Sequence, residues 1–172
     1  MTDDVLLREA VEADIPEIVR LANLLSAAEG KGDDVFSERR VRADGFGDDP
    51  AFTVLLAERD GAAVGYALYV RAYNTDLAAR AIFLDDLFVV EQARGRGIGR
   101  RLLAEVAAVA VAAGATSVWW GVRSANRRAR AFYARLGARD EDARILELDG
   151  DALTALAESA DGGPGTHRDR AV

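Results

Sequence analysis

The chain has 172 residues, half of them hydrophobic, and 22 basic against 29 acidic side chains give a net charge of -7. That length suits one domain with a proper core, and the acidic balance argues against sequence-independent nucleic-acid binding and against docking on anionic membranes. There is no cysteine, so disulfides, thiolate metal sites and a cysteine nucleophile are excluded. The start, "MTDDVLLREA", lacks the basic and apolar regions of a signal peptide. No apolar run approaches the ~20 residues that span a bilayer. A soluble, cytoplasmic protein is the expectation.

In chain order, "VLLREA" predicts a strand and "EADIPEIVRLANLLSAAE" a helix. In that helix Asp14 is the expected N-cap, Pro16 suits the first turn, and Ile18, Leu21, Leu24 and Leu25 form one apolar stripe. "SERRVRADGFGDDP" reads as a short charged helix broken at Gly45. "FTVLLAERD" and "AAVGYALYVRAY" read as strands joined through Asp60-Gly61, a hairpin signal. "AIFLDDLFVV" is the next strand. A helix from Ile98 to about Ala113 follows, with Ile98, Leu102, Leu103, Val106 and Ala110 toward a core and a stop at Gly114. "TSVWWGVR" reads as a strand reaching Arg123, "NRRARAFYARLG" as a helix closed by Gly137, and "ARILELD" as a last strand. The predicted order is β-α-α-β-β-β-α-β-α-β, an α+β domain over residues 1–160. Residues 161–172, glycine-rich and charged, are expected to be a flexible tail; they hold the sole histidine, His167.

One turn stands out. A strand, then "RGRGIG" at 94–99, then a helix is an anion-binding arrangement. Glycines let the backbone approach closely, and the orphan N–H groups of the first helical turn point at the ligand. Gly95, Gly97 and Gly99 supply the glycines, and Arg94, Arg96 and Arg100 add positive charge. The dinucleotide fingerprint G-x-G-x-x-G does not fit, because the spacing is G-x-G-x-G. The triphosphate loop G-x-x-x-x-G-K-[ST] lacks its lysine and hydroxyl. A pyrophosphate cradle of another kind remains, beside the plainer reading of a basic surface turn.

With these residues in place, the sequence resembles the GNAT superfamily of acetyltransferases. Its signature [QR]-x-x-G-x-[GA] is matched by Arg94, Gly97 and Gly99, and "NRRARAFYARLGA" at 126–138 matches its second diagnostic segment. The resemblance covers nearly the whole chain up to about Leu156. It implies a mixed, mainly antiparallel central sheet flanked by helices, and acetyl-coenzyme A as cosubstrate with no metal. The implied cofactor-binding residues are Leu87, Val89, Arg94, Gly95, Arg96, Gly97, Gly99, Arg100, Asn126, Ala129 and Tyr133. Leu87 and Val89 would offer backbone groups to the acetyl-pantetheine arm, and Tyr133 would protonate the departing thiolate.

Within the superfamily the chain looks most like the diamine and polyamine (spermidine/spermine) N-acetyltransferases, through "FLDDLFV", "DGFG" and Glu29. This implies a homodimer acting on a small primary amine that Glu29, Asp85 and Asp86 would contact, with Asp85 as catalytic partner of Tyr133. On a regular strand Asp85 and Asp86 would point to opposite faces, so the two are not expected to serve one site equally. An alkylamine of pKa ≈ 10.4 is about one part in 10³ neutral near pH 7, so a carboxylate there helps binding, and helps chemistry only as a proton acceptor. Arg123 and Ser124 stand where that group tends to be uncharged and acidic. A positive charge there suits an amino acid with a side-chain amine. A protein or peptide amino-group acetyltransferase and a non-catalytic acyl-coenzyme A sensor are the alternatives.

Overall fold

The strands and helices follow the apolar periodicity of the sequence. The computed structural model describes residues 5–161; residues 1–4 and 162–172, with His167 and nearly all of the expected tail, lie outside the described residues. The chain divides into two compact units between Gly121 and Val122.

The first unit holds β1 (Val5–Glu9), α1 (Ile15–Ala28), α2 (Glu38–Phe46), β2 (Thr53–Arg59), β3 (Ala62–Asn74), β4 (Ala79–Val89), α3 (Ile98–Ala112) and β5 (Ser117–Trp119). The strands form one sheet in the order β1-β2-β3-β4-β5. The first four are antiparallel and β5 joins β4 in parallel, which bears out the mixed, mainly antiparallel sheet. Asp60 and Gly61 both take positive φ, 54° and 76°, as a two-residue hairpin between right-twisted strands requires.

Alternation then sorts the strand residues onto two faces. Val54 and Leu56 of β2, Tyr66 and Leu68 of β3, and Phe88 of β4 pack with Ile15, Ile18, Leu21 and Ala22 of α1 and Val41 of α2. The opposite face meets α3, whose Ile98, Leu102, Val106 and Ala110 recur every fourth residue and are buried. Arg101 of α3 donates to the Val5 carbonyl at 2.6 Å, tying that helix to the edge strand. Each fully buried Ile or Leu contributes about 1.5–3 kcal/mol, so the two layers hold the sheet from both sides.

Several sequence expectations need correction. Asp14 makes no side-chain cap on α1; its carboxylate is turned back to accept two hydrogen bonds from Arg8, at 2.6 and 2.8 Å, and one from the Val11 amide at 2.8 Å, a charge-assisted set that holds it in place. α2 runs through Gly45 to Phe46. A Cβ at Gly45 would lie 2.6 Å from the Phe52 ring, so the glycine serves packing rather than a break. β5 ends at Trp119, and Arg123 lies in the turn beyond it. Among the described residues no helix is long and apolar enough to cross a membrane.

The second unit contains α4 (Arg127–Arg135) and α5 (Gly150–Asp161). Gly137, at φ 86°, follows α4 as expected. The strand expected at 143–149 does not form, and α5 had no counterpart in the sequence reading. Ile145 and Leu146 are 71% and 90% exposed, so that segment's alternation has neither a face to bury nor a ladder to join.

Candidate active site

The site is built around the middle of β4, where the strand pairing breaks. Residues directly opposite in an antiparallel pair share a face. Leu68 is opposite Asp86, but the next residue, Tyr69, is opposite Leu84. Leu68 belongs to the core beneath α1, so Asp86 lies on that face. Tyr69 turns the other way, within range of Glu105 on α3, and Leu84 goes with it. Asp85 is therefore the extra residue of a β-bulge, opposite no residue of β3. A period of two holds only along an unbroken ladder, and the bulge inverts the phase of the strand between Leu84 and Asp86, which simple alternation would have put on one face.

Asp86 is half-buried and Asp85 exposed. The Tyr66 hydroxyl, on a fully buried side chain, donates to Asp86 Oδ2 at 2.7 Å. Burial pushes the Asp86 carboxyl above the usual carboxylate range; the Tyr66 bond draws it back, and the charges of Asp85 and Glu29 push it up again against Lys31. Asp85 is raised as well, by burial. Burial and the neighbouring Asp86 hold the Tyr66 phenol far above its ordinary value, so it stays a donor. Glu29 caps the C-terminal end of α1 and pairs with Lys31 at 2.8 Å. Asp86 thus feels the charges of both Asp85 and Glu29, and its partner Tyr66 is the residue that sequence reasoning missed. It sits in an apolar run with nothing to mark it until the strands are in register.

The neighbouring backbone is open on one side. β5 pairs with Ala81, Ile82 and Phe83 of β4, and the ladder stops there. The Val90 amide donates to the Val64 carbonyl at 2.9 Å. Alternation along an antiparallel ladder then turns the backbone groups of Phe88 and Asp86 toward β3 and those of Val89 and Leu87 away from it. Arg94 Nε takes the Val89 carbonyl at 2.8 Å and its guanidinium lies 5.8 Å from the Phe88 ring centre. Arg94 therefore braces the end of β4.

Beyond Arg94 the turn has the expected form. Gly95 and Gly97 adopt φ 80° and 79°, with open space where a Cβ would project. The ladder of α3 begins with the Arg101 amide on the Gly97 carbonyl, 3.0 Å. The amides of Ile98, Gly99 and Arg100 precede it and have no acceptor within the helix. Arg96 and Arg100 are exposed. The left-handed glycines, the orphan amides and the turned-out β4 backbone fit an anionic ligand with an extended arm.

The other expected residues lie on α4. Asn126 caps that helix, its Oδ1 accepting from the Ala129 amide at 3.0 Å. Tyr133 packs its ring against Phe132, 5.1 Å between centres, and burial pushes its phenol up. Trp119, 47% exposed, rests against Phe83 with 4.5 Å between ring centres.

The profile of the acetyltransferase (GNAT) family matches residues 18–138. The chain is 37% identical over 166 residues to the thialysine N-epsilon-acetyltransferases of Sus scrofa and Bos taurus, covering 89% of this chain and 97% of theirs. It superposes with a TM-score of 0.77 on an integron cassette protein from the mobile metagenome of V. cholerae. That match covers 90% of this chain and 98% of the other at 23% identity, a likeness of fold.

Proposed function

This chain belongs to the acetyltransferase (GNAT) family, and from that premise we propose that it acetylates the side-chain amine of a small amino acid with acetyl-coenzyme A. The observation that supports the amine site is Asp86, next to the bulge in β4, bonded to the buried Tyr66 and under the charges of Asp85 and Glu29. A half-buried carboxylate with two exposed ones acting on it suits a cationic substrate. The choice of an amino acid rests on the relatives named for thialysine and on Arg123, whose charge suits the substrate's carboxylate.

Acetyl-coenzyme A supplies the thioester: a C–N bond forms, the C–S bond breaks, and each ammonium acetylated releases one proton overall. The amides of Ile98, Gly99 and Arg100, with Gly95, Gly97, Arg96 and Arg100, would hold the pyrophosphate. Leu87 and Val89 would align the pantetheine arm through their outward backbone. Asn126 and Ala129 complete the cofactor set that the family resemblance implies. Glu29, Asp85 and Asp86 hold the ammonium, and an aspartate takes its proton so that the neutral amine can attack. A carboxyl raised by burial is better matched to that task than an ordinary one. Tyr133, kept protonated by burial, gives its proton to the thiolate. The chain works as a cytoplasmic homodimer in this reading, supported by the exposed Tyr73 and Leu77 on and after β3.

Free-thiol release from acetyl-coenzyme A, measured across thialysine, lysine, ornithine, putrescine, spermidine and a lysine-containing peptide, tests the proposal. Amino acids with a side-chain amine should exceed spermidine in kcat/KM by at least ~10-fold, the discrimination that one well-placed charge contact provides. A preference for spermidine or the peptide would overturn the choice of substrate.

A further inference from the structure

Tyr66 is an unexpected residue to find fully buried with its hydroxyl in a core otherwise built from Ile15, Ile18, Leu21, Leu56 and Phe88. A buried hydroxyl needs a partner. Its partner is a carboxylate, Asp86 Oδ2 at 2.7 Å, on the neighbouring strand. The tyrosine ring is fixed by packing on every side, so the hydroxyl is a rigid anchor. A carboxylate held through one oxygen keeps the other for a second partner.

We infer that Tyr66 is a positioning residue for acetyl transfer: its hydroxyl fixes Asp86 through Oδ2 and turns the second carboxylate oxygen toward the substrate amine as proton acceptor. This rests on the reading of the site given above and goes beyond it in two respects. It selects Asp86, the anchored acid, over the exposed Asp85 as the group that takes the proton, and it gives a core residue a part in the reaction. In the step itself an ammonium N–H bond breaks, its electron pair stays on nitrogen, and the proton passes to the Asp86 oxygen and then to water. The groups that face Asp86 are Tyr66 on β3, Asp85 beside it on β4, Glu29 at the end of α1 and Lys31 just beyond. Tyr66 remains protonated, so over the working range the carboxyl is the partner of this pair that titrates.

The test is the pH dependence of kcat/KM for thialysine with acetyl-coenzyme A, in the wild type, Tyr66→Phe, Asp86→Asn and the double variant, each corrected for folded fraction. Tyr66→Phe should lower kcat/KM by ~10-fold to ~100-fold, as loss of a hydrogen bond to a charged group does. It should move the acidic limb to higher pH, because the lost donor favoured the ionised carboxylate. Coenzyme A affinity should not change. In the Asp86→Asn background the same substitution should cost nothing further, since the anchored acid is already gone. A ring-fluorinated tyrosine at position 66 keeps the shape and donates more strongly, so it should move the limb to lower pH even if Tyr66→Phe folds poorly. An acidic limb unmoved by both changes, in an active enzyme, would overturn this inference and leave the reading of the site standing. A wild type inert toward every side-chain amine would overturn both.

Discussion

Gly97→Asp isolates the cofactor cradle. Gly97 has φ 79° and nothing within 4 Å of where a Cβ would stand, so the fold's cost is conformational rather than steric. A left-handed L-residue costs about 1–2 kcal/mol, and a domain of this size loses ~2–4 °C of Tm per kcal/mol. The new carboxylate also stands at the N-terminus of α3, where the helix dipole returns ~0.3–1 kcal/mol. The expected fall in Tm is therefore a few degrees. Against a phosphate oxygen about 4 Å away the same carboxylate is repelled by ~4 kcal/mol at an effective dielectric near 20, close to 10³-fold in Kd. Gly114→Asp is the control. It has φ 72° and equally open space, but it follows the C-terminal end of α3, where a negative charge is unfavourable. Calorimetric titration with coenzyme A should show Gly114→Asp destabilised at least as much as Gly97→Asp yet binding normally, and Gly97→Asp folded but not binding. Equal affinity in the two variants would refute the cradle.

Tyr133→Phe keeps the ring and should lower kcat by ~10²–10⁴-fold, the usual loss of a general acid, with coenzyme A affinity unchanged; single-turnover kinetics checks this. Asp86→Asn can still accept from Tyr66 while removing a charge that burial disfavours. Because the folded carboxyl is raised, its ionisation costs stability as pH rises through that raised value, so Asp86→Asn should melt higher than the wild type near pH 7 and match it in acid. Thermal melts across pH decide this, and a lower Tm at neutral pH would count against a strained carboxylate. Asp85→Asn should chiefly raise KM for the amine; a destabilised variant with unaltered kinetic constants would return Asp85 to a structural role. Light scattering at micromolar concentration should give the mass of a dimer, and a monomer throughout would remove the homodimer from the reading.

The frame of the fold was legible because its signals are local. Asp60-Gly61 marks its hairpin through positive φ, Gly114 ends α3, and the every-fourth-residue stripe from Ile98 to Ala110 names the buried face. The glycine–arginine turn was legible for the same reason: the left-handed conformations of Gly95 and Gly97 and the start of α3 are set by residues next to one another in the chain. What escaped the sequence depends on partners distant along the chain. The bulge at Asp85 exists only in the register with Leu68 and Tyr69, so alternation counted along "FLDDLFV" missed the change of face between Leu84 and Asp86. Tyr66 joined the site through a bond spanning twenty positions. Asp14 carried a good cap signal, yet Arg8, six residues earlier, took its carboxylate. The alternation in "ARILELD" described a strand that no ladder receives.

Locating the acetyl group on the product tests the central claim most directly. Thialysine incubated with the protein and acetyl-coenzyme A should yield one monoacetylated product, and fragmentation mass spectrometry should place the acetyl group on the side-chain nitrogen, with none formed by Tyr133→Phe on the same timescale. Acetylation of the α-amine, or no acetylated thialysine while spermidine is consumed, would contradict it.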